Sequence, residues 1–301
     1  MNLKENIKKS RELEINIFVS QMRSIYEESL QENENLYDIA CLVTKGFVDI
    51  NPGTILSDSR IIKILRYAIS PTISQMKFGQ LFDMTSIEPF ERMKLEIGSE
   101  KYKELMSIAG KISDFINMNI DKSRFWWREN PGTPSSAEQV LVKKWTCSIA
   151  ADQNAQTEYR RYRKNLQEQS VARKLEALGY TRSDFHGVIT ATKDIHPGEY
   201  TLETKVKGRT TQKADLVFRS KSSDRLVLIE AKAVGVEIDA TKRIKECCDK
   251  ANDWTSKSAL GAPVVVAVIA GFFTEKNISN LRASKVLVAW EHDLHAIDAL
   301  A

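Results

Sequence analysis

The sequence changes character near residue 186, and this change is the strongest limit on how the chain can fold. Before it, apolar residues recur at helical intervals, for example within residues 15–25 and 61–68. After it, short β-branched runs alternate with turn-forming residues, for example at 214–218 and 226–229. We therefore predict an α/β (α+β mixed) fold, in which a helical N-terminal region precedes a central mixed sheet flanked by helices.

A loop rich in Pro, Gly and Ser at residues 130–136 marks the end of the first helical region. Ser135 with Glu138 resembles a capping box, so a new helix should begin there. We predict that this helical block reaches about residue 180, with a break near residues 152–154. The sheet follows, with a helix at 240–254 and further strands at 263–269 and 285–290, and the wholly apolar 263–269 predicts a strand covered on both faces.

The composition is that of a soluble globular protein, with 42% apolar and 28% charged residues. No apolar run reaches about 18 residues and the start lacks the apolar stretch of a secretory signal, so we expect a cytoplasmic protein without a membrane span. The net charge of +4 says little about a polyanionic partner. The cysteine spacing suits neither a zinc site nor a disulfide framework, so we expect reduced thiols at Cys41, Cys147, Cys247 and Cys248.

A β-hairpin is predicted where the most informative residues of the chain lie. If residues 221–224 form its loop, the antiparallel register sets Asp215 opposite Glu230. Side chains alternate along a strand, so Glu230 and Lys232 share a face. The pattern therefore predicts that two carboxylates and an ammonium group meet at one edge of the sheet.

This combination favours metal-assisted chemistry on a phosphodiester. Two close carboxylates repel each other unless a cation lies between them, and hard oxygen ligands suit Mg²⁺, so we predict Asp215 and Glu230 as metal ligands. Lys232 would orient or deprotonate the attacking water, or stabilise the charged transition state. A solvated strand end is the alternative, and the chain holds a second Glu-x-Lys at 203–205. However, only the motif at Glu230 follows a four-residue apolar run with an apolar strand at hairpin distance.

The order of elements and the Asp…Glu-x-Lys motif resemble the PD-(D/E)XK nuclease superfamily. Beyond the motif, the chain is similar to the XamI-like family of type II restriction endonucleases in fragments that span most of the sequence. These fragments are residues 65–74, 127–128, 167–168, 213–215, 230–232, 242–243 and 290–294. One departure is the largely apolar stretch at 233–237, where a more polar stretch is expected, so the target sequence should differ from that of other members.

The resemblance implies Mg²⁺-dependent cleavage of double-stranded DNA at a short palindrome, beside a cognate DNA methyltransferase. Palindromic DNA favours a reader with matching two-fold symmetry, so we expect a homodimer. We assign residues 1–134 to DNA recognition or dimerisation and residues 135–301 to a catalytic domain.

In this superfamily the helix before the sheet often supplies a third acidic ligand, and Glu168 is the candidate here. A solvent-facing helix glutamate is the alternative interpretation. Glu203, on the neighbouring strand, is a second candidate for the same role.

Clustered cations indicate where DNA could be held. One group lies on the helix before the sheet and a second near the start of the helix after the site. Such groups favour contact with phosphates, although solvated surface charge is the alternative. The candidates are Arg160, Arg161, Arg163, Lys164, Lys242 and Arg243.

Two further features have functional and structural interpretations. Residues 125–127, Phe-Trp-Trp, could stack on bases, but a duplex offers few unstacked bases, so we expect core packing. His292 could be catalytic, but we expect a structural hydrogen bond because one metal site already accounts for the chemistry.

Two other functions fit the same pattern. A repair or junction-resolving nuclease of the same fold would cut by DNA structure instead of by sequence. A non-catalytic DNA-binding protein is the second alternative, but it would be expected to have lost Asp215, Glu230 or Lys232.

Overall fold

The computed structural model describes residues 2–130, 132–256 and 260–301. The chain forms two compact units. A sheet unit combines Met1–Gln21 with Tyr159–Ala301, and a helical unit consists of Met22–Glu158. The boundary after residue 134 separates the predicted recognition or dimerisation region from the predicted catalytic domain. This functional division stays a prediction.

The helical unit confirms the helical N-terminal region. Its apolar core contains buried aromatic side chains from several segments, including Phe47, Phe78, Phe90 and Phe125. The α-helices before the sheet are α1 (Leu3–Val43), α2 (Pro52–Ser57), α3 (Ile61–Ala68), α4 (Gln75–Gln80), α5 (Glu88–Arg92), α6 (Glu100–Asn119) and α7 (Ser136–Ala177). Helices α1 and α7 each contribute residues to both units.

Helix α7 begins where the capping box predicts. The Ser135 backbone N–H donates to Glu138 Oε2 at 2.8 Å, and the Glu138 N–H donates to Ser135 Oγ at 3.3 Å. Pro131, in the predicted loop, lies outside the described residues. The break predicted near residues 152–154 is wrong, because α7 is continuous. Neither Gly nor Pro interrupts it there, and buried Ala151 and Ala155 continue its packed face across the polar residues.

The sheet unit contains a mixed sheet, as predicted. In the part of the chain that the structure describes, seven strands form it in the order β1-β3-β4-β5-β6-β7, with β2 beside β3. The strands are β1 (Thr181–Arg182), β2 (Val188–Ile189), β3 (Glu199–Lys207), β4 (Thr211–Arg219), β5 (Leu226–Val234), β6 (Val264–Gly271) and β7 (Leu287–Trp290). Strands β3, β4 and β5 are antiparallel neighbours, whereas β5, β6 and β7 run parallel.

The register of the β4–β5 hairpin is the predicted one. Leu216 pairs with Ile229 and Arg219 pairs with Leu226, and the Ser220 N–H donates to the Arg225 carbonyl at 2.9 Å. Strand β6 lies between β5 and β7 and is almost wholly buried, as its apolar sequence predicts.

Helices cover both faces of the sheet. The remaining helices are α8 (Glu237–Thr255), α9 (Glu275–Ala283) and α10 (His295–Asp298). On one face, α8 packs Ala240, Ile244 and Cys247 into a core that includes Leu228 of β5. On the other face, α7 contributes to a core through Val171, Ala172 and Leu175. Lys232 and Glu230 follow Leu228 at alternate positions, so they extend the α8-facing side of β5.

The first residues of α1 are bonded to the sheet unit. Ser10 Oγ accepts a hydrogen bond from the Gly271 N–H at 2.8 Å, at the end of β6. Arg11 donates to the Phe273 carbonyl at 3.1 Å. These contacts explain why the opening residues belong to the same compact unit as the sheet.

The state of the cysteines agrees with expectation. All four cysteines are free thiols. In residues 2–130, 132–256 and 260–301, the structure contains no helix whose length and apolar content would let it cross a membrane.

Candidate active site

Strands β4 and β5 bring the three predicted catalytic residues together. Lys232 Nζ lies 2.6 Å from Glu230 Oε2 and 3.5 Å from Asp215 Oδ2. All three side chains are largely shielded from solvent, and Glu230 is fully buried. The ammonium group therefore bridges the two carboxylates that the hairpin register predicts as neighbours.

The Asp215 carboxylate is oriented by the backbone of the partner strand. Regular pairing of β4 with β5 runs from Arg219 as far as Leu216. Just beyond it, the Ala231 N–H donates to Asp215 Oδ2 at 2.8 Å. This charge-assisted bond satisfies a backbone donor of β5 and fixes where the carboxylate lies.

Lys250 is a further member of the carboxylate–lysine cluster, and the sequence interpretation missed it. Its Nζ lies 2.8 and 3.0 Å from the two Glu230 oxygens, and it also donates to the Lys213 carbonyl at 2.6 Å. Lys250 lies on α8 beside buried Cys247 and Ala251. The sequence did offer a signal for this contact, because Lys250 borders the apolar face of the predicted helix. A cation at that position needs an acidic partner when the helix packs against the sheet.

The charges around Lys232 keep it cationic. Burial by itself would lower the pKa of this ammonium, but Glu230 and Asp215 outweigh that effect and hold the pKa above its ordinary value. Lys232 is therefore a hydrogen-bond donor and a positive charge within this cluster.

Glu168 reaches the same region from α7. The residue is buried, which excludes the solvent-facing alternative, and its Oε1 makes no hydrogen bond to any described residue. The Lys164 ammonium lies 3.4 Å from that oxygen as an ionic contact. Burial raises the pKa of Glu168; Lys164 opposes the shift, and the nearby charges of Asp215 and Glu203 add to it.

Glu203 lies on β3, across from Asp215 on β4. Leu202 pairs with Leu216 and Thr204 pairs with Ala214, which sets Glu203 at the position between them. Its φ of +51° is unusual for a side-chain-bearing residue within a strand. Its carboxylate contacts Lys164 and lies 2.7 Å from Lys213 Nζ, and the hydrogen bonds from these lysines lower its pKa.

The donor chemistry at this site fits a hard divalent cation. Asp215, Glu230 and Glu168 offer carboxylate oxygens, and the buried Glu168 Oε1 still lacks a hydrogen bond to the described residues. Across residues 2–130, 132–256 and 260–301, no three His, Cys, Asp or Glu side chains are already grouped as a metal site. Lysine ammonium groups lie among these carboxylates instead.

The predicted DNA-contacting cations occupy different environments. Arg160 and Arg161 are exposed on α7, and Lys242 and Arg243 are exposed on α8, where Arg243 pairs with Glu246 at 3.2 Å. Lys164 points into the carboxylate cluster instead of lying among surface charges.

Arg163 is a correction to the predicted DNA-binding group. Its side chain is only 4% exposed and pairs with Glu14 at 2.7 Å and with Glu291 at 2.8 Å. Because Arg163 lies one turn after buried Tyr159, it shares the inward face of α7. We therefore leave Arg163 out of the proposed DNA contacts.

The two structural interpretations agree with the observed contacts. Phe125 is buried in the helical core, and Trp127 Nε1 donates to the Gly46 carbonyl at 2.8 Å. His292 Nε2 lies 3.0 Å from Asn6 Oδ1, and burial lowers the pKa of this imidazole. The aromatic residues thus hold parts of the helical unit together, and the His292–Asn6 contact does the same within the sheet unit.

Comparison with known proteins identifies the family. Residues 45–290 match the profile of the XamI restriction endonuclease family. A relative, the type II restriction enzyme XamI of Xanthomonas campestris pv. amaranthicola, is 27% identical over 221 residues, which cover 71% of this chain and 76% of the relative. The family match spans both the helical unit and the strands that carry the carboxylate–lysine cluster, and the chain therefore belongs to the XamI restriction endonuclease family.

Proposed function

We propose that this protein is a type II restriction endonuclease that hydrolyses phosphodiester bonds of double-stranded DNA at a short palindromic sequence, with Mg²⁺ as cofactor. The observation that carries the proposal is the meeting of Asp215, Glu230 and Lys232 in a chain of the XamI restriction endonuclease family. The acid–acid–lysine combination at a strand end is also the reason for proposing a PD-(D/E)XK site.

Asp215 and Glu230 are the proposed metal ligands, and Glu168 is the proposed third carboxylate. When bound, Mg²⁺ would supply a water of lowered pKa and neutralise charge on the scissile phosphate. Glu168 suits this role because it is buried on the helix beside the site and has an oxygen without a hydrogen bond to the described residues.

The protein's own groups position the reactants. The Ala231 N–H holds Asp215, and Lys250 holds Glu230, so both carboxylates have fixed orientations before substrate arrives. Lys232 presents an ammonium donor between them. From there it can donate to the attacking water or to a phosphate oxygen, where negative charge develops in the transition state.

Exposed cations on two helices are the proposed phosphate contacts. Arg160 and Arg161 on α7 and Lys242 and Arg243 on α8 belong to the helices that also carry Glu168 and Lys250. We further propose that the enzyme acts as a homodimer, since a palindrome presents two equivalent half-sites. The N-terminal helical region would recognise DNA or form the dimer, and a cognate methyltransferase would protect host DNA.

Lys242→Ala is expected to weaken binding by a similar factor for every DNA sequence. A phosphate contact releases counterions, so the slope of log K against log salt should fall in magnitude by about 1. Fluorescence anisotropy at several salt concentrations measures this slope. Exposed Lys276→Ala on α9 is the charge-matched control and should keep the wild-type slope. A Lys242→Ala slope equal to that of wild type would remove Lys242 from the proposed surface.

Digestion of unmethylated plasmid and phage DNA tests the proposed function. Purified protein with Mg²⁺ should yield discrete fragments from each DNA, and chelator should stop cutting. Cleavage confined to junctions or damaged sites would favour the structure-specific alternative. Binding without cleavage at any salt concentration would favour a non-catalytic DNA-binding protein.

A further inference from the structure

Lys164 lies where its ammonium faces three carboxylates from three different elements. It contacts Glu203 of β3, lies 3.4 Å from Glu168 of its own helix, and lies 4.0 Å from Asp215 of β4. Lys213 also pairs with Glu203, and Lys232 also pairs with Asp215, but the Lys164 ammonium lies near all three acids, as a bound metal cation would.

The ammonium satisfies these acids incompletely. Glu168 Oε1 remains without a hydrogen bond to the described residues, although Lys164 is its ionic neighbour. Buried carboxylate oxygens without donors are costly, and a lysine ammonium carries only one positive charge. A divalent cation would neutralise the group better than the lysine does.

The exposed fractions of these side chains indicate which of them can move into solvent. The Lys164 side chain is 42% exposed, whereas Glu168 and Asp215 are only 9% and 12% exposed. A lysine has a flexible four-carbon stem, so its head can turn into solvent while the acids stay held by their strand and helix.

We propose that the Lys164 ammonium occupies the Glu168–Asp215 side of the proposed metal site: it neutralises Glu168, Glu203 and Asp215 in the metal-free enzyme and is displaced when a divalent cation binds. The inference rests on the proposed metal site. It makes Lys164 a competitor of the cation, in contrast to Lys232, which contacts Glu230 and the other oxygen of the Asp215 carboxylate.

Metal binding without DNA tests this competition. Mn²⁺ is a hard cation whose free concentration can be followed by electron paramagnetic resonance. Lys164→Met removes the ammonium and keeps much of the apolar stem, and it should bind Mn²⁺ about tenfold more tightly than wild type because a nearby competing charge is gone. The control is Lys276→Met on the exposed surface of α9, where solvent screens the charge, and it should change the affinity by less than about twofold.

A variant at a metal ligand separates the two hypotheses. Asp215→Asn should lose most Mn²⁺ affinity if the proposed metal site is correct. If it does, and Lys164→Met binds Mn²⁺ no more tightly than wild type, the competition is overturned and the metal site stands. If Asp215→Asn binds Mn²⁺ as wild type does, the metal site itself is misplaced, and the inference is overturned with it.

The wild-type protein provides a second measurement that does not depend on a variant folding. Acetylation of lysines by an amine-reactive ester, read by peptide mass spectrometry, reports how available each ammonium is. Mn²⁺ should raise the labelling rate of Lys164 several-fold and leave exposed Lys276 unchanged. A Lys164 rate that stays constant at saturating Mn²⁺ would show that the lysine is not displaced.

Discussion

Asp215→Asn is expected to reduce the single-turnover rate of DNA cleavage by on the order of 10³-fold while DNA binding is retained. The amide keeps the size of the side chain and can still accept the hydrogen bond from the Ala231 N–H, so the strand ends should keep their positions. What is lost is the negative charge of a proposed metal ligand. The loss should therefore appear in the chemical step and not in the stability of the fold.

The matched control is Asp224→Asn, in the loop of the same hairpin. Asp224 is exposed and pairs with Arg219 at 2.8 Å, away from the carboxylate cluster in the register. Its conversion to asparagine should leave the cleavage rate within about twofold of wild type, because exposed ion pairs contribute little. Rates are measured on plasmid DNA with enzyme in excess. Full activity of Asp215→Asn would show that Asp215 is not a ligand.

Arg163→Leu is expected to lower the free energy of unfolding of the sheet unit by about 3–5 kcal/mol. Arg163 is buried between Glu14 of α1 and Glu291, which follows β7. These carboxylates raise the pKa of the guanidinium and outweigh its burial, which means that the charged form is stabilised in the fold. Without it, two acids are left in a poorly solvated site with no cation between them.

Arg160→Leu provides the comparison, since it removes the same charge three residues earlier on α7. Arg160 is exposed, so its replacement should change the unfolding free energy by less than about 0.5 kcal/mol. Urea denaturation followed by circular dichroism measures both variants. The folded fraction of Arg163→Leu should still bind DNA as wild type does. An Arg163→Leu protein of normal stability but weak DNA binding would restore the original DNA-contact hypothesis for this residue.

Local patterns were sufficient for the features that depend on neighbours along the chain. The Ser135–Glu138 cap and the register that sets Asp215 opposite Glu230 follow from short-range geometry, because a turn of given length fixes which residues face each other. The apolar sequence of β6 likewise predicted a strand buried on both faces. Polar residues inside α7 were a weaker signal, and the break predicted there was wrong because packing of alanines outweighed them.

The sequence by itself determined the class of fold, the hairpin and the acid–acid–lysine trio of this family member. Only the tertiary structure decided that Lys250 donates hydrogen bonds to Glu230 and that Lys164 faces Glu168. It also decided that Arg163 is buried while Arg160 is exposed. The physical reason is that a charged residue occupies the same position in a helical sequence pattern whether its side chain is solvated or paired with a carboxylate. Its partner comes from another element, and the packing of helices on the sheet selects that partner.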